Sequence, residues 1–129
     1  MPLAQHYRLQ VYNGTGVSVT CTVTSDQWKF DSNGAMTFAA ETTPISSASV
    51  SAGAYSNSST IDNSSNLYLG ANFTVNFAPS ASATGTVALY VQESTDGGTT
   101  WPDNGQGLFV CGVAFSASST AVKKNGKFS

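Results

Sequence analysis

Few side chains in this sequence are equipped for chemistry. The 129 residues include one histidine, two cysteines, seven carboxylates and five basic residues. His6 stands near the N-terminus with nothing beside it in sequence to support it as a base, so a Ser-His-Asp arrangement lacks its middle member. It reads as a strand-end or arm residue. One histidine and two cysteines fall short of the usual four-ligand zinc site. Glycoside hydrolysis needs two carboxylates facing each other across a cleft. Asp26, Asp31, Glu41, Asp62, Asp96 and Asp103 lie in or beside turn signals, where acids cap backbone N–H groups, and Glu93 lies at a strand end. An enzyme would need two of Glu41, Glu93 and Asp103 close together. Asp96, Asp103 and Asn104 border one loop and offer oxygen ligands to calcium, but with two carboxylates and no ordered spacing. No glycine-rich loop precedes a helix, so no phosphate cradle is expected. The reading is a protein without catalytic residues, metal or cofactor.

Aromatic residues are the remaining lead. Trp28, Trp101, Tyr12, Tyr55, Tyr68 and Tyr90 can fill a core, stack on sugar rings or anchor a protein interface. Tyr68 and Tyr90 fall on the polar parity of their strands, which singles them out as exposed. Tyr68, Tyr90, Trp28 and Trp101 are therefore the candidate interface or glycan-stacking residues. Thr86, Ala88 and Tyr90 beside Asn72, Thr74 and Asn76 would form a smooth, uncharged sheet face that is cheap to desolvate against a neighbouring subunit.

The segment from Ser94 to Trp101 has turn chemistry of its own. Asp96 can accept hydrogen bonds from N–H groups just ahead of it, Gly97 and Gly98 supply positive φ, and Trp101 can fold back over the hairpin. The spacing Ser94-x-Asp96-x-Gly98-x-Thr100-Trp101 resembles the Asp-box, the hairpin motif of sialidase-type propellers and other β proteins. That resemblance implies a structural turn built on Ser94, Asp96, Gly98 and Trp101. It does not bring sialidase activity, because sialidases need a cluster of arginines and Arg8 is the single arginine here. A propeller of four or more blades of about 40 residues also exceeds this length.

Only 9% of residues are charged, against about 25% in an average soluble domain. Serine and threonine make up roughly a quarter of the chain, so hydroxyls and amides must supply the polar surface. Net charge is −2. Lys123, Lys124 and Lys127 cluster near the C-terminus as a basic tail over 123–129, but no basic stripe with interleaved aromatics is present, so direct nucleic-acid binding is not expected. No apolar run approaches the ~20 residues that span a bilayer, and no membrane partner is expected. The opening residues lack the pattern of a signal peptide, which predicts a product made in a cytosol and not exported by that route. Cys21 and Cys111 sit within alternating segments. They read as buried free thiols, or as a disulfide if their strands face each other across a sandwich. The immunoglobulin pattern fits poorly, since Trp28 follows Cys21 too closely and Phe109 holds the place of its tyrosine.

Period-2 alternation runs through the chain. Residues 6–12 read as a strand with Tyr7, Leu9 and Val11 on one face, followed by an Asn13-Gly14-Thr15-Gly16 hairpin signal. Val17, Val19, Cys21 and Val23 then alternate with hydroxyl residues. Residues 35–40 suggest a short strand with Met36 and Phe38 inward. A break follows at 41–44, and 45–54 reads as a poorly ordered strand or an extended loop. Residues 55–61 form a further strand. Leu67, Leu69, Ala71, Phe73, Val75 and Phe77 share one face of the longest pattern, as do Val87, Leu89 and Val91 in the next. Phe109, Cys111, Val113 and Phe115 share one parity, and a last strand covers 120–122. No segment has helical apolar spacing. Seven to nine short strands imply a single all-β domain over 1–129: an antiparallel β-sandwich or jelly roll with an extended N-terminal arm over residues 1–6.

A small, unsignalled all-β chain rich in Ser, Thr, Ala and Gly, with an arm and a basic tail, resembles the accessory virion proteins of tailed bacteriophages. These are head decoration or cement proteins and small neck or tail components. The resemblance is carried by 89–102 and by the opening Tyr7-Arg8-Leu9-Gln10-Val11. It implies a non-enzymatic structural protein of a virion that docks on other virion proteins, a major capsid or tail protein, as a homo-oligomer. Terminal segments would add strands to a neighbour's open edge, and many weak contacts would sum over a symmetric shell. The alternative is a carbohydrate-binding or adhesin-like module whose partners are surface glycans.

Overall fold

The computed structural model describes residues 3–129. Among the described residues, alternation of apolar and polar side chains is realised as ten strands and no helix: β1 (His6–Asn13), β2 (Val19–Phe30), β3 (Met36–Phe38), β4 (Thr42–Val50), β5 (Tyr55–Asn57), β6 (Ile61–Asp62), β7 (Gly70–Pro79), β8 (Ala83–Ser94), β9 (Leu108–Ser118) and β10 (Val122–Phe128). They form two antiparallel five-stranded sheets packed as a β-sandwich. Sheet I runs β5-β1-β8-β9, with β6 on the same flank of β1 as β5. Sheet II runs β10-β7-β2-β3, with β4 on the same flank of β2 as β3. Strands β3, β5 and β6 are only two or three residues long, which takes the count beyond nine.

One parity of each long strand faces the other sheet. Tyr7, Leu9, Val11, Val87, Leu89 and Val91 of sheet I meet Val19, Cys21, Val23, Phe73, Val75 and Phe77 of sheet II, and all are buried. Burying such side chains stabilises by about 1.5–3 kcal/mol each relative to exposure. Tyr7 and Gln27 bridge the sheets, the Gln27 amide donating to the Tyr7 hydroxyl. Burial pushes that phenol up to about 12. Cys21 and Cys111 are free and buried, and burial raises both thiols, Cys21 to about 12.

Several local expectations are corrected. The Asn13-Gly14 signal does not make a hairpin: β1 pairs with β8, and residues 14–18 cross to the other sheet. Asn13 builds that corner. Its Oδ1 accepts from the N–H and hydroxyl of Thr15, and its Nδ2 donates to Val17 O at 2.7 Å and Val50 O at 2.9 Å. The segment expected as a loose strand or loop is β4, which starts at Thr42 and passes through Pro44. The proline is tolerated because β4 pairs on one side only. Met36 and Phe38 point outward, opposite Phe30 and Trp28. Leu67 and Leu69 are exposed because the chain turns at Leu67, with φ of 53°, and β7 begins only at Gly70. Phe109 is exposed because the β8–β9 register shifts between Leu89 and Tyr90, a bulge that flips its parity.

At the termini, residues 1–2 of the expected arm lie outside the described residues. Leu3 is buried, and its N–H donates to Leu69 O. The lysine tail is strand β10, in register with β7, so the last strand lies later than 120–122.

Asn13→Ala should lower stability by about 2–3 kcal/mol, because it strands buried backbone groups. Ser18→Ala, at an exposed position, should change it by less than about 0.5 kcal/mol. Urea unfolding followed by circular dichroism measures both.

Candidate functional site

Three outward features are the candidates: the turn after β8, the outer face of sheet I beneath it, and the outer face of sheet II.

The turn is closed by Asp96. Its Oδ1 accepts from the Ser94 hydroxyl at 2.7 Å and the Thr100 N–H at 2.9 Å, and its Oδ2 accepts from the Thr100 hydroxyl at 2.6 Å. Thr99 N–H adds a bond to Oδ1, and Ser94 Oγ receives the Gly98 N–H at 2.9 Å. The Thr100 hydroxyl foremost, then its N–H and the Ser94 hydroxyl, pull the Asp96 carboxyl down to about 2. Gly98 has φ of 91°, a backbone that side-chain-bearing residues rarely adopt. A carboxylate so fully engaged is a structural anchor.

From this turn, residues 101–107 lie across the outer face of sheet I. Trp101 packs over β1, with the Arg8 guanidinium 4.6 Å from its ring centroid. Gln10 and Gln92, neighbours on β1 and β8, are fully buried beneath the loop. Gln10 Nε2 donates to Asn57 Oδ1 and Asn104 Oδ1, and its Oε1 accepts the Gly105 N–H at 3.0 Å. Gln92 Nε2 reaches Asp103 O at 3.2 Å and Pro102 O at 3.3 Å, while its Oε1 accepts from Arg8. The oxygens of Asp96 and Asn104 are thus turned to internal partners and away from a shared cation.

The four candidate aromatic residues lie apart. Trp101 belongs to this cover. Tyr90 is half-buried on the outer face of sheet I, edge-on to exposed Phe109 at 5.9 Å. Tyr68 is half-buried against the core, with Lys29 Nζ 5.2 Å above its ring. Trp28 lies on sheet II. The face drawn from Thr86, Ala88, Tyr90, Asn72, Thr74 and Asn76 is corrected as well. β8 and β7 belong to different sheets, so the two triplets lie on opposite outer faces.

Sheet II keeps its outer face uncovered. Cross-strand partners form three polar rungs: Asp26–Asn72–Lys127, Thr24–Thr74–Asn125 and Thr22–Asn76–Lys123. Beyond the first rung stand Trp28, Phe30, Met36 and Phe38. The last three are 50%, 49% and 56% exposed, an apolar corner that alternation alone hid, because Met36 and Phe38 read as inward. The carboxylates Glu41, Glu93 and Asp103 lie apart: Glu41 borders the sheet II face, Asp103 lies over sheet I, and Glu93 is the last but one residue of β8. Burial raises the Glu93 carboxyl. His6 lies 3.5 Å from Asp62. Among the described residues, no group of three His, Cys, Asp or Glu side chains is placed to hold a metal ion.

No family model, curated protein or solved structure matches this chain.

Two outcomes follow. Folding lowers the Asp96 pKa from 3.8 to about 2, so its stabilisation is complete above the unfolded value and is lost as pH falls through the folded one. Acid titration of unfolding should therefore show a loss below about pH 4 that Asp96→Asn removes. Gln92→Ala should release residues 102–105, seen as new proteolytic cleavage there with the circular dichroism of the sheets retained.

Proposed function

We propose that this chain is a non-enzymatic structural protein of a bacteriophage virion, a decoration or cement subunit that docks on the capsid or tail lattice. The observation that carries the reading is the apolar corner of sheet II. Phe30, Met36 and Phe38 stand together on β3 and the adjoining end of β2, each about half exposed, with Trp28 beside them. Exposed large apolar side chains grouped on one edge mark interaction surfaces, and aromatic and methionine side chains are those enriched at them. Strand β3 is three residues long and pairs with β2 alone, so its free edge can join a neighbour's sheet. The hydroxyl and amide surface around it costs less to desolvate than a charged one. In a symmetric lattice, copies with modest individual affinity are retained together.

Particles of the phage encoding this chain should contain it at stoichiometric copy number by quantitative mass spectrometry. Its absence from purified particles would overturn the reading. Phe38→Asp with Met36→Lys should lower occupancy at least tenfold without changing the circular dichroism of the free protein.

A further inference from the structure

We propose that the outer face of sheet II, from Trp28 to Asn125, is a binding site for a neutral saccharide chain. The proposal concerns the free protein; its track overlaps the docking corner at Trp28, Met36 and Phe38 and extends from there over the polar rungs.

Sheet I offers less of such a surface, since residues 101–107 of the same chain lie over Arg8, Gln10 and Gln92 on its outer face. On sheet II, Thr24, Asp26, Glu41, Asn72, Thr74, Asn125 and Lys127 line an open groove of about 260 Å³. It adjoins a second groove of about 210 Å³ that shares Asn72 and Lys127 and is lined at its apolar end by Trp28, Met36, Phe38 and Phe128. The two make one track: an aromatic ring, then rungs of carboxylate, amide, hydroxyl and ammonium. The groups repeat about every 4.8 Å across the strands and about 6.8 Å along them. That is a lattice of donors and acceptors suited to a polyhydroxylated ligand.

The aromatic end is held in place. Gly70 is the cross-strand partner of Trp28, and a Cβ there would lie 2.5 Å from the indole carbons Cε2 and Cζ2. The missing side chain lets the indole lie against the β7 backbone. Phe30 meets the ring edge-on at 5.8 Å. A ring so positioned offers an apolar face to the C–H face of a sugar.

Charge selects the class of ligand. Asp26 and Glu41 face one ammonium, Lys127, and no ion pair joins them among the described residues. Mixed signs with a slight acidic excess disfavour polyanions such as nucleic acid or acidic glycans. They suit vicinal hydroxyls, which donate to carboxylates and accept from amides and ammonium. Two internal bonds, Asn72 to Asp26 at 3.0 Å and Thr74 to Asn125 at 3.1 Å, orient the rungs. They leave the second Asp26 oxygen, the Asn72 carbonyl and the Asn125 amine for a ligand.

The test is a titration of the ¹⁵N-labelled full chain with neutral tetrasaccharides of glucose, galactose, mannose and N-acetylglucosamine at millimolar concentration. An oligogalacturonate serves as the anionic counterpart. At least one neutral probe should shift amides within 24–28, 70–74 and 125–128 and bind better than the anionic one. Asn72→Ala should weaken it roughly five- to tenfold, the size of one hydrogen bond. Trp28→Ala should abolish it, and Trp101→Ala should leave it unchanged. Should Trp28→Ala fail to fold, Asn72→Ala and Lys127→Ala decide. The proposal falls if no neutral probe shifts these amides, if the shifts gather around Trp101 and Tyr90, if the anionic probe binds better, or if Asn72→Ala binds as the parent does. Particle occupancy plays no part in this readout, so its failure leaves the docking reading standing.

Discussion

Asn13, Asn63, Gln10 and Gln92 are buried almost completely, with exposures of 0%, 1%, 0% and 0%, and each ties together stretches of backbone that no sheet ladder joins. An amide can donate twice and accept twice, so one side chain can satisfy several loop groups at once. Asn13 fixes the crossing between the sheets. Asn63 binds Ala4 and Tyr68 through Nδ2 and the Tyr68 N–H through Oδ1, which seats the N-terminal segment against the 63–68 loop. Gln10 and Gln92 anchor the cover over sheet I. In a chain with so few charges, these amides do the work that ion pairs and capped helices do elsewhere. Each carries the risk of all buried polar groups: a lost partner costs more than the bond contributed.

This division of labour makes the two sheets unequal. Sheet I gives the part of its outer face over Arg8, Gln10 and Gln92 to the chain's own loop, and what it gains is rigidity: Trp101 over Arg8, two satisfied glutamines and a turn closed on Asp96. Sheet II has no such cover. Its outer side chains bond to each other, as Asn72 to Asp26 and Thr74 to Asn125, or to the β4 backbone, as the Thr22 hydroxyl accepts the Ser47 N–H. Part of one outer face is therefore taken up by the chain's own loop, while the other stays open from Trp28 along the polar rungs.

The fold class was legible in the sequence because period-2 alternation is a local signal that burial on one face enforces strongly. The inward residues of β1, β2, β7 and β8 were assigned correctly from Tyr7, Val19, Phe73, Leu89 and their parity mates. The Asp96 turn was legible because its partners lie within six residues. What failed was non-local. Asn13-Gly14 carries a hairpin signal, yet whether a turn joins strands of one sheet or two depends on Val50, 37 residues away. Phe109 kept its parity on paper but lost it to one bulge set by β8. Met36 and Phe38 read as inward because apolar residues usually are, although a three-residue edge strand has no second sheet to lean on. The pairing of Asn72 with Asp26 and Lys127, and hence the groove, follows from strand order, which alternation does not encode.

Edge protection shows where the molecule is built to be left alone and where it is not. A free strand edge invites pairing with other chains, and proteins blunt such edges with lysine, proline, bulges or brevity. Nearly all of those devices appear here, drawn from a small stock of charge. β10 carries three of the five basic residues, and its Lys124 reaches over to cap Gly112 O of β9 at 2.8 Å, so one side chain guards the edges of both sheets. β4 has Pro44 and two register shifts. The far flank of sheet I is broken into β5 and β6. β3 alone has brevity as its defence while presenting Met36 and Phe38 rather than a charge. A chain that places lysines so sparingly thus sets the exposed Phe30, Met36 and Phe38 beside its least guarded strand, at one end of sheet II.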